Sequence, residues 1–256
     1  MTVSQLYTKL CEQIPPTLSC EWDNDGIMCM PDPERRVDQV LIALDITEAV
    51  VDRAVADGYD VILSHHPLLF RGIKHLTIQD PVARRSIKLC QAGISALSFH
   101  TRLDAVAGGV NDALVELLAL TDTTPLGDEG LGRVGTLSDP MTAEAFAAMV
   151  AERLNSPTVT LADSGRPVSR VAVLGGSGGD DVMTALAAGA DTYITGEAGH
   201  HWLIDAPEMG LNLIVAGHHY TEHLICERLA DMIRLLTPDA TITVVDSYKT
   251  KTIVKA

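Results

Sequence analysis

The sequence predicts an α/β protein of two domains with largely parallel sheets. Short runs of β-branched residues alternate along the chain with longer segments whose apolar residues recur every three to four positions. Such alternation is typical of parallel strands joined by crossover helices. With 256 residues, 46% of them hydrophobic, the chain is also long enough to bury a sizeable core.

The predicted strands are short and rich in Val, Ile, Leu and Thr. They cover residues 40–46, 61–64, 94–99, 158–162, 168–174, 192–195, 211–216 and 241–245. Between them, the helical periodicity covers residues 47–57, 81–92, 109–120, 142–154, 180–188 and 221–236. Several helix starts are well marked, because Thr47 and Thr142 are favoured capping residues and Pro81 suits a first turn after Asp80.

The polar, glycine-bearing stretch 121–132 is the predicted domain boundary. It divides the chain into an N-terminal α/β domain, residues 1–125, and a second α/β domain, residues 126–256. The last predicted helix, at about 220–236, is expected to pack back on the first domain.

Composition excludes several classes of function. A net charge of −15 disfavours binding of nucleic acid through a phosphate-neutralising surface. Five cysteines without CxxC spacing, and no signal-like segment, predict a reducing cytoplasm. No uncharged apolar run reaches the roughly 18 residues that span a bilayer, so we expect no membrane partner.

The candidate metal-binding residues lie just after the ends of predicted strands. His65 and His66 follow one strand, His100 and Asp104 follow another, and His218 follows a third. Ligands gather outside the carboxyl ends of strands in open α/β sheets. Imidazole and carboxylate suit zinc, iron or manganese, so the pattern predicts a divalent-metal site. Because neighbouring side chains on a strand point to opposite faces, the simplest use of the His65-His66 pair is one imidazole for each of two ions.

The segment after the third strand offers two alternative metal-binding pairs. His218 and Glu222 are four residues apart, and so are His219 and His223. Either pair would project toward one point from the first turn of a helix. Spacing alone leaves the choice open.

The glycine-rich turn formed by Gly175, Gly176, Ser177 and Gly178 follows a strand and precedes a helix. Such a turn can wrap phosphate with its backbone N–H groups. It lacks the lysine of a P-loop, and any tight turn favours glycine, so a purely structural role competes with anion binding.

Three residues are candidate proton carriers, because metal-bound water needs a partner to accept its proton. Glu197 and His201 follow the strand at 192–195, and His100 follows the strand at 94–99. For Glu197 and His201, a packing or supporting role is the alternative.

Together these motifs resemble the family of GTP cyclohydrolase type 2 homologues, also called NIF-three-like proteins. The resemblance runs nearly end to end and is carried by Trp22-Asp23-Asn24-Asp25-Gly26, Ala43-Leu44-Asp45-Ile46-Thr47, Ser64-His65-His66-Pro67, His100-Thr101-Arg102-Leu103-Asp104, Gly175-Gly176-Ser177-Gly178, Thr195-Gly196-Glu197 and Gly217-His218-His219-Tyr220-Thr221-Glu222. Members often have Asn where this chain has Arg102, which leaves the role of that position open.

The resemblance implies a dinuclear metal centre in the cleft between two α/β domains, and subunits that assemble as ring-shaped homohexamers. The implied ligands are His65, His66, Asp104, His218 and Glu222, which favours His218 over His219. We therefore expect a cytoplasmic hydrolase that uses two divalent ions to activate water against a nucleotide-like or phosphorylated small molecule, in the manner of a GTP cyclohydrolase. The alternative is a metal-binding assembly or regulatory protein without catalysis.

Overall fold

The computed structural model describes residues 1–253 and divides into two compact units. The first unit comprises Met1–Val106 and Ile225–Tyr248, and the second comprises Ala107–Leu224 with residues 249–253. Each unit has one mixed sheet with helices, which confirms the predicted α/β class.

The strands and helices follow in chain order. The strands are β1 Gly26–Cys29, β2 Gln39–Ala43, β3 Val61–Ser64, β4 Ser95–Ser98, β5 Thr121–Leu126, β6 Gly132–Met141, β7 Thr160–Ala162, β8 Val168–Leu174, β9 Thr192–Thr195, β10 Asn212–Val215 and β11 Thr241–Val244. The helices are α1 Val3–Gln13, α2 Glu48–Asp57, α3 Pro81–Ala92, α4 Thr101–Ala105, α5 Val110–Leu117, α6 Ala143–Arg153, α7 Val182–Ala187, α8 His200–Glu208, α9 His218–Glu222 and α10 Ile225–Leu236. No helix within residues 1–253 has the length and apolar character needed to cross a lipid bilayer.

The first unit has a five-stranded sheet in the order β1-β4-β3-β2-β11. All pairs are parallel except β1 with β4, so this sheet is largely parallel, as predicted. All four residues of β3 are buried, which explains the apolar run Val61-Ile62-Leu63. The predicted caps also form: the Thr47 side chain accepts from Val50 N–H, and Asp80 accepts from two N–H groups of α3.

The second unit has a six-stranded sheet in the order β5-β6-β8-β9-β10-β7. Only its centre, β8-β9-β10, is parallel, while the three outer pairs are antiparallel. This sheet is therefore mixed rather than largely parallel.

The boundary between the units differs from the predicted one. The chain passes into the second unit after Val106, and the polar stretch at 121–126 is strand β5, paired with β6. Because five of its six residues are exposed, β5 shows no apolar alternation, and sequence patterning alone places it in a linker. The predicted helix 221–236 is two helices, α9 and α10. Helix α10 belongs to the first unit, where it packs against β2 and β11.

Candidate metal centre

In the first unit, three adjacent parallel strands end at one edge of the sheet. β2 is followed by Asp45, β3 by His65 and His66, and β4 by His100. β1 runs antiparallel to β4 and begins opposite its end, with Gly26 paired to Ser98. The residues just before β1, including Asp23, therefore reach the same edge.

His65 is buried and held in one tautomer. Its Nδ1 lies 2.9 Å from the carbonyl oxygen of Phe99. Because a carbonyl can only accept, Nδ1 carries the proton and Nε2 carries the lone pair. That Nε2 lies 3.7 Å from Oδ1 of Asp104, on α4.

His66 and His100 are oriented in the same way by carboxylates. His66 Nδ1 lies 2.7 Å from Asp45 Oδ1, and His100 Nδ1 lies 2.9 Å from Asp23 Oδ1. An ionised carboxylate accepts the Nδ1 proton and leaves Nε2 as the metal-binding atom, an arrangement found around most metal-ligating histidines.

The Asp23 carboxylate is well suited to this role. Burial raises its pKa, but hydrogen bonds from His100 and from Thr101 together outweigh that effect and lower the pKa to about 2. Thr101 contributes both its backbone N–H, at 3.1 Å, and its hydroxyl, at 2.7 Å. Asp23 is therefore ionised at neutral pH and accepts the His100 proton.

The three imidazoles converge. The ring centroids lie 5.0 Å apart for His65 and His66, 5.2 Å for His65 and His100, and 5.8 Å for His66 and His100. Each ring offers one nitrogen, and these three atoms lie within 4.8 Å of one another. Nitrogen donors so disposed, with Asp104 nearby, fit a first-row divalent ion. His100, predicted as a proton carrier, is thus placed among the candidate ligands.

The second unit presents a histidine of the same kind. His218 begins α9, just after β10, and its Nδ1 lies 3.0 Å from Glu197 Oε1. Its Nε2 faces Glu222 Oε2 at 3.0 Å. Glu197, predicted as a proton carrier, therefore orients His218, and His218 with Glu222 forms a pair suited to a cation.

The alternative pair is arranged differently. The rings of His219 and His223 stack on each other, with centroids 4.7 Å apart and an interplanar angle of 25°. His201 is exposed at the start of α8 and its ring contacts Trp202. Within residues 1–253, no hydrogen bond or ring contact joins His201 to His218 or to Glu197, so its role as a proton carrier stays a prediction.

In the glycine-rich turn between β8 and α7, three of the four backbone N–H groups donate hydrogen bonds to side chains of the protein. The backbone N–H of Gly175 donates to Asn111 Oδ1, that of Gly176 to Thr221 Oγ1, and that of Gly178 to Thr195 Oγ1. Ser177 is the exposed residue of the four. These three N–H groups are therefore not available for the predicted phosphate contact, which would have to be made by Ser177.

The turn instead makes room for Glu222. A Cβ on Gly176 would overlap Glu222 Oε1 and approach His218 Nε2 within 3.2 Å. Gly176 also has a φ of +66°, which other residues rarely adopt. Glycine here therefore lets the turn lie against the candidate metal-binding pair.

We expect Gly176→Ala to lower metal affinity by about 10- to 100-fold, the usual effect of disturbing the support of a ligand. The matched control is Gly165→Ala in the same unit, where φ is +77° and nothing lies within 4 Å of the added Cβ. Both variants incur similar backbone strain, but only the first displaces Glu222. Competition titration with a metal-binding dye compares them, and equal affinities would contradict this role for Gly176.

Arg102 is fully buried, so its side chain is not accessible to a substrate. Its Nε lies 2.9 Å from Asp25 Oδ2, and its guanidinium lies over the ring of Phe99 at 4.5 Å. Asp25 in turn accepts from the backbone N–H of His100, at 3.4 Å. The charge of Arg102 thus supports the segment that carries His100 and Asp104.

Sequence reasoning missed the partners of two histidines, Asp23 and Asp45. Both lie within segments that carry the family resemblance, and Asp45 lies two residues after the end of β2. An acid at the end of a neighbouring parallel strand was the available signal for Asp45. Asp23 depends on the antiparallel strand β1, which the sequence pattern does not reveal.

The fold and these oriented histidines define a class of α/β proteins with a candidate metal centre, and comparison with known proteins identifies the family. The model of the Duf34/NIF3 (NGG1p interacting factor 3) family matches residues 1–252. A GTP cyclohydrolase 1 type 2 homolog of Clostridium perfringens is 35% identical, over 91% of this chain and 92% of that protein. A NIF3 homolog of Schizosaccharomyces pombe is 32% identical over 94% of each chain. The crystal structure of Staphylococcus aureus protein SA1388 is similar with a TM-score of 0.88 and 26% identity, over 99% of each chain.

The chain therefore belongs to the Duf34/NIF3 family. The relatives in Clostridium perfringens and Lactococcus lactis share the name GTP cyclohydrolase 1 type 2 homolog. A dinuclear metal centre in this chain stays a prediction.

Proposed function

We propose that this protein is a metal-dependent hydrolase that acts on a nucleotide-like or phosphorylated small molecule with two divalent ions. The proposed ligands are His65, His66, Asp104, His218 and Glu222, with zinc, iron or manganese as the ions. The main observation behind the proposal is that four histidines are held in the same tautomer. In His65, His66, His100 and His218, Nδ1 is bound by an oxygen acceptor, which makes Nε2 the metal-binding atom.

The donor set favours catalysis over a closed structural site. Structural zinc sites complete a tetrahedron with four protein ligands, whereas catalytic sites keep a position for water or substrate. Five ligands shared by two ions leave such positions open. A bound divalent ion would supply Lewis acidity and lower the pKa of a coordinated water to about 7.

The residues around the ligands have distinct roles in this proposal. Asp45 and Glu197 hold the proposed ligands His66 and His218 in the metal-binding tautomer. Asp23 holds His100 in the same tautomer, beside His65 and His66 but outside the five proposed ligands. His201 is exposed at the start of α8 and is the proposed proton carrier. The label shared by the bacterial relatives supports hydrolytic opening of the five-membered ring of GTP as the first reaction to test.

The test measures metal content and hydrolysis on the same preparations, with a panel of nucleotides that includes GTP. We expect wild-type protein loaded with zinc, manganese or iron to turn over a member of the panel. Asp104→Asn is expected to lose metal and turnover together. His201→Ala is expected to keep its metal and lose turnover by about a hundredfold or more, the usual effect of removing a positioned acid or base.

Two outcomes would revise the proposal. Metal-loaded protein that hydrolyses no member of a broad metabolite pool would favour the alternative, a metal-binding assembly or regulatory protein. Full activity in His201→Ala would limit that residue to packing and move proton transfer to another group or to bulk water.

A further inference from the structure

Beside His100, the first unit exposes a corner formed by three rings, which we name the aromatic corner: Trp22, Phe70 and His100. Ring centroids lie 6.2 Å apart for Trp22 and Phe70, 6.2 Å for Trp22 and His100, and 6.0 Å for Phe70 and His100. The interplanar angles are 75°, 80° and 90°. Trp22 is 58% exposed and Phe70 is 45% exposed. Neither ring serves the core, and large exposed aromatics that cluster often mark a binding site.

The two loops that carry the corner are tied together. The side-chain amide of Asn24, two residues after Trp22, donates to the carbonyl oxygen of Leu69. Leu69 N–H donates to Met28 Sδ at 3.4 Å, which fixes the same loop to β1. Trp22 and Phe70 are therefore presented by connected backbone, as a preorganised stacking surface requires.

The loop that follows Phe70 has the opposite charge to the chain as a whole. Arg71 and Lys74 are exposed, residues 70–79 contain no Asp or Glu, and the net charge of the chain is −15. In the part of the chain that the structure describes, neither cation forms an ion pair. Cations so placed attract an anion such as phosphate.

We infer that the aromatic corner stacks the planar base of a nucleotide substrate and that Arg71 and Lys74 attract its phosphate. The inference rests on the proposed function and names its substrate class. His100 is both a wall of the corner and a member of the converging histidine group, so a base held there lies beside the candidate metal ligands. An aromatic face accepts any base, whereas a sugar phosphate without a base has nothing to stack.

The intrinsic fluorescence of Trp22 provides the test. The chain has two tryptophans, so Trp202→Phe leaves Trp22 as the only reporter. Zinc-loaded protein is titrated with GMP, guanosine and ribose 5-phosphate. We expect GMP to quench Trp22, and ribose 5-phosphate, detected by competition with GMP, to bind at least about tenfold more weakly, since stacking on an aromatic side chain commonly contributes a tenfold or larger effect.

Variants separate the parts of the corner. Phe70→Leu should weaken GMP binding by about tenfold or more. Leu76→Ala is the matched control, because Leu76 is an apolar residue of the same loop, 68% exposed, and outside the corner. It should bind GMP like the parent. Arg71→Gln should weaken binding of GMP but leave that of guanosine unchanged.

Three results would overturn the inference: no GMP binding at millimolar concentration, equal affinity for GMP and ribose 5-phosphate, or unchanged GMP affinity in Phe70→Leu. A smaller oligomer in Phe70→Leu, measured by light scattering with GMP affinity intact, would also overturn it and make the corner a subunit contact. Failure of the proposed function is distinguishable, because GMP would then bind through Phe70 without any hydrolysis.

Discussion

Replacing Arg102 by Met is expected to lower the free energy of unfolding of the first unit by about 3–5 kcal/mol. The substitution keeps the length of the side chain but leaves the Asp25 carboxylate without its cation, at a site where Arg102 is fully buried. It also removes a hydrogen bond to the carbonyl oxygen of Ile14, at 3.3 Å, and the contact with the Phe99 ring. Urea denaturation followed by Trp22 fluorescence in a Trp202→Phe background measures the change.

The matched control for Arg102 is Arg36→Met. Arg36 also pairs with an aspartate, with its Nε 2.7 Å from Asp38 Oδ1, but both side chains are more than half exposed. Exposed pairs contribute less than about 1 kcal/mol. The double variant Arg102→Met with Asp25→Asn no longer has an unpaired carboxylate at position 25. Part of the lost free energy of unfolding should therefore return. Equal losses for Arg102→Met and Arg36→Met would contradict the role assigned to the buried pair.

The second large effect is expected for His218. His218→Ala should weaken metal binding by more than about a hundredfold, beyond the 10- to 100-fold usual for a residue that only supports a ligand. Its neighbour His219, whose ring stacks on His223, should lose less than about tenfold when changed to alanine. The reason is geometric: Nε2 of His218 faces Glu222 and its Nδ1 is held by Glu197.

Competition titration of both histidine variants, checked for native circular dichroism, measures the difference. The opposite ranking would mean that His219 and His223 are the ligands and that the orientation of His218 has no role in metal binding. With that outcome, metal binding by His65, His66 and His100 of the first unit would need a separate test.

The sequence was sufficient for the fold class and for the location of the candidate ligands, because both follow from where strands end. The sequence predicts the bounds of β3 and β8 to the residue, since each contains a short run of apolar residues next to polar segments. The sequence predicts the strands of the second sheet less completely. The exposed edge strand β5 carries no periodic apolar signal, so its polar residues suggested a linker where the chain forms a strand.

The details of the site required the structure. The place of Glu197 in the chain predicts a proton carrier, whereas its contact with His218 Nδ1 depends on the packing of β9 beside β10. The glycine turn matched a phosphate loop in sequence, but the acceptors for its N–H groups, such as Asn111, come from distant segments. Tertiary contacts of this kind leave no local pattern. Assembly as a hexamer and cytoplasmic location stay predictions.

The metal content of the wild-type protein decides whether the proposed dinuclear centre exists. Elemental analysis is made on protein purified without chelator, and again after reconstitution with zinc, iron or manganese. We expect close to two first-row divalent ions per chain, because three imidazoles and two carboxylates exceed what one tetrahedral ion needs. A content near zero that none of the three metals restores would contradict it.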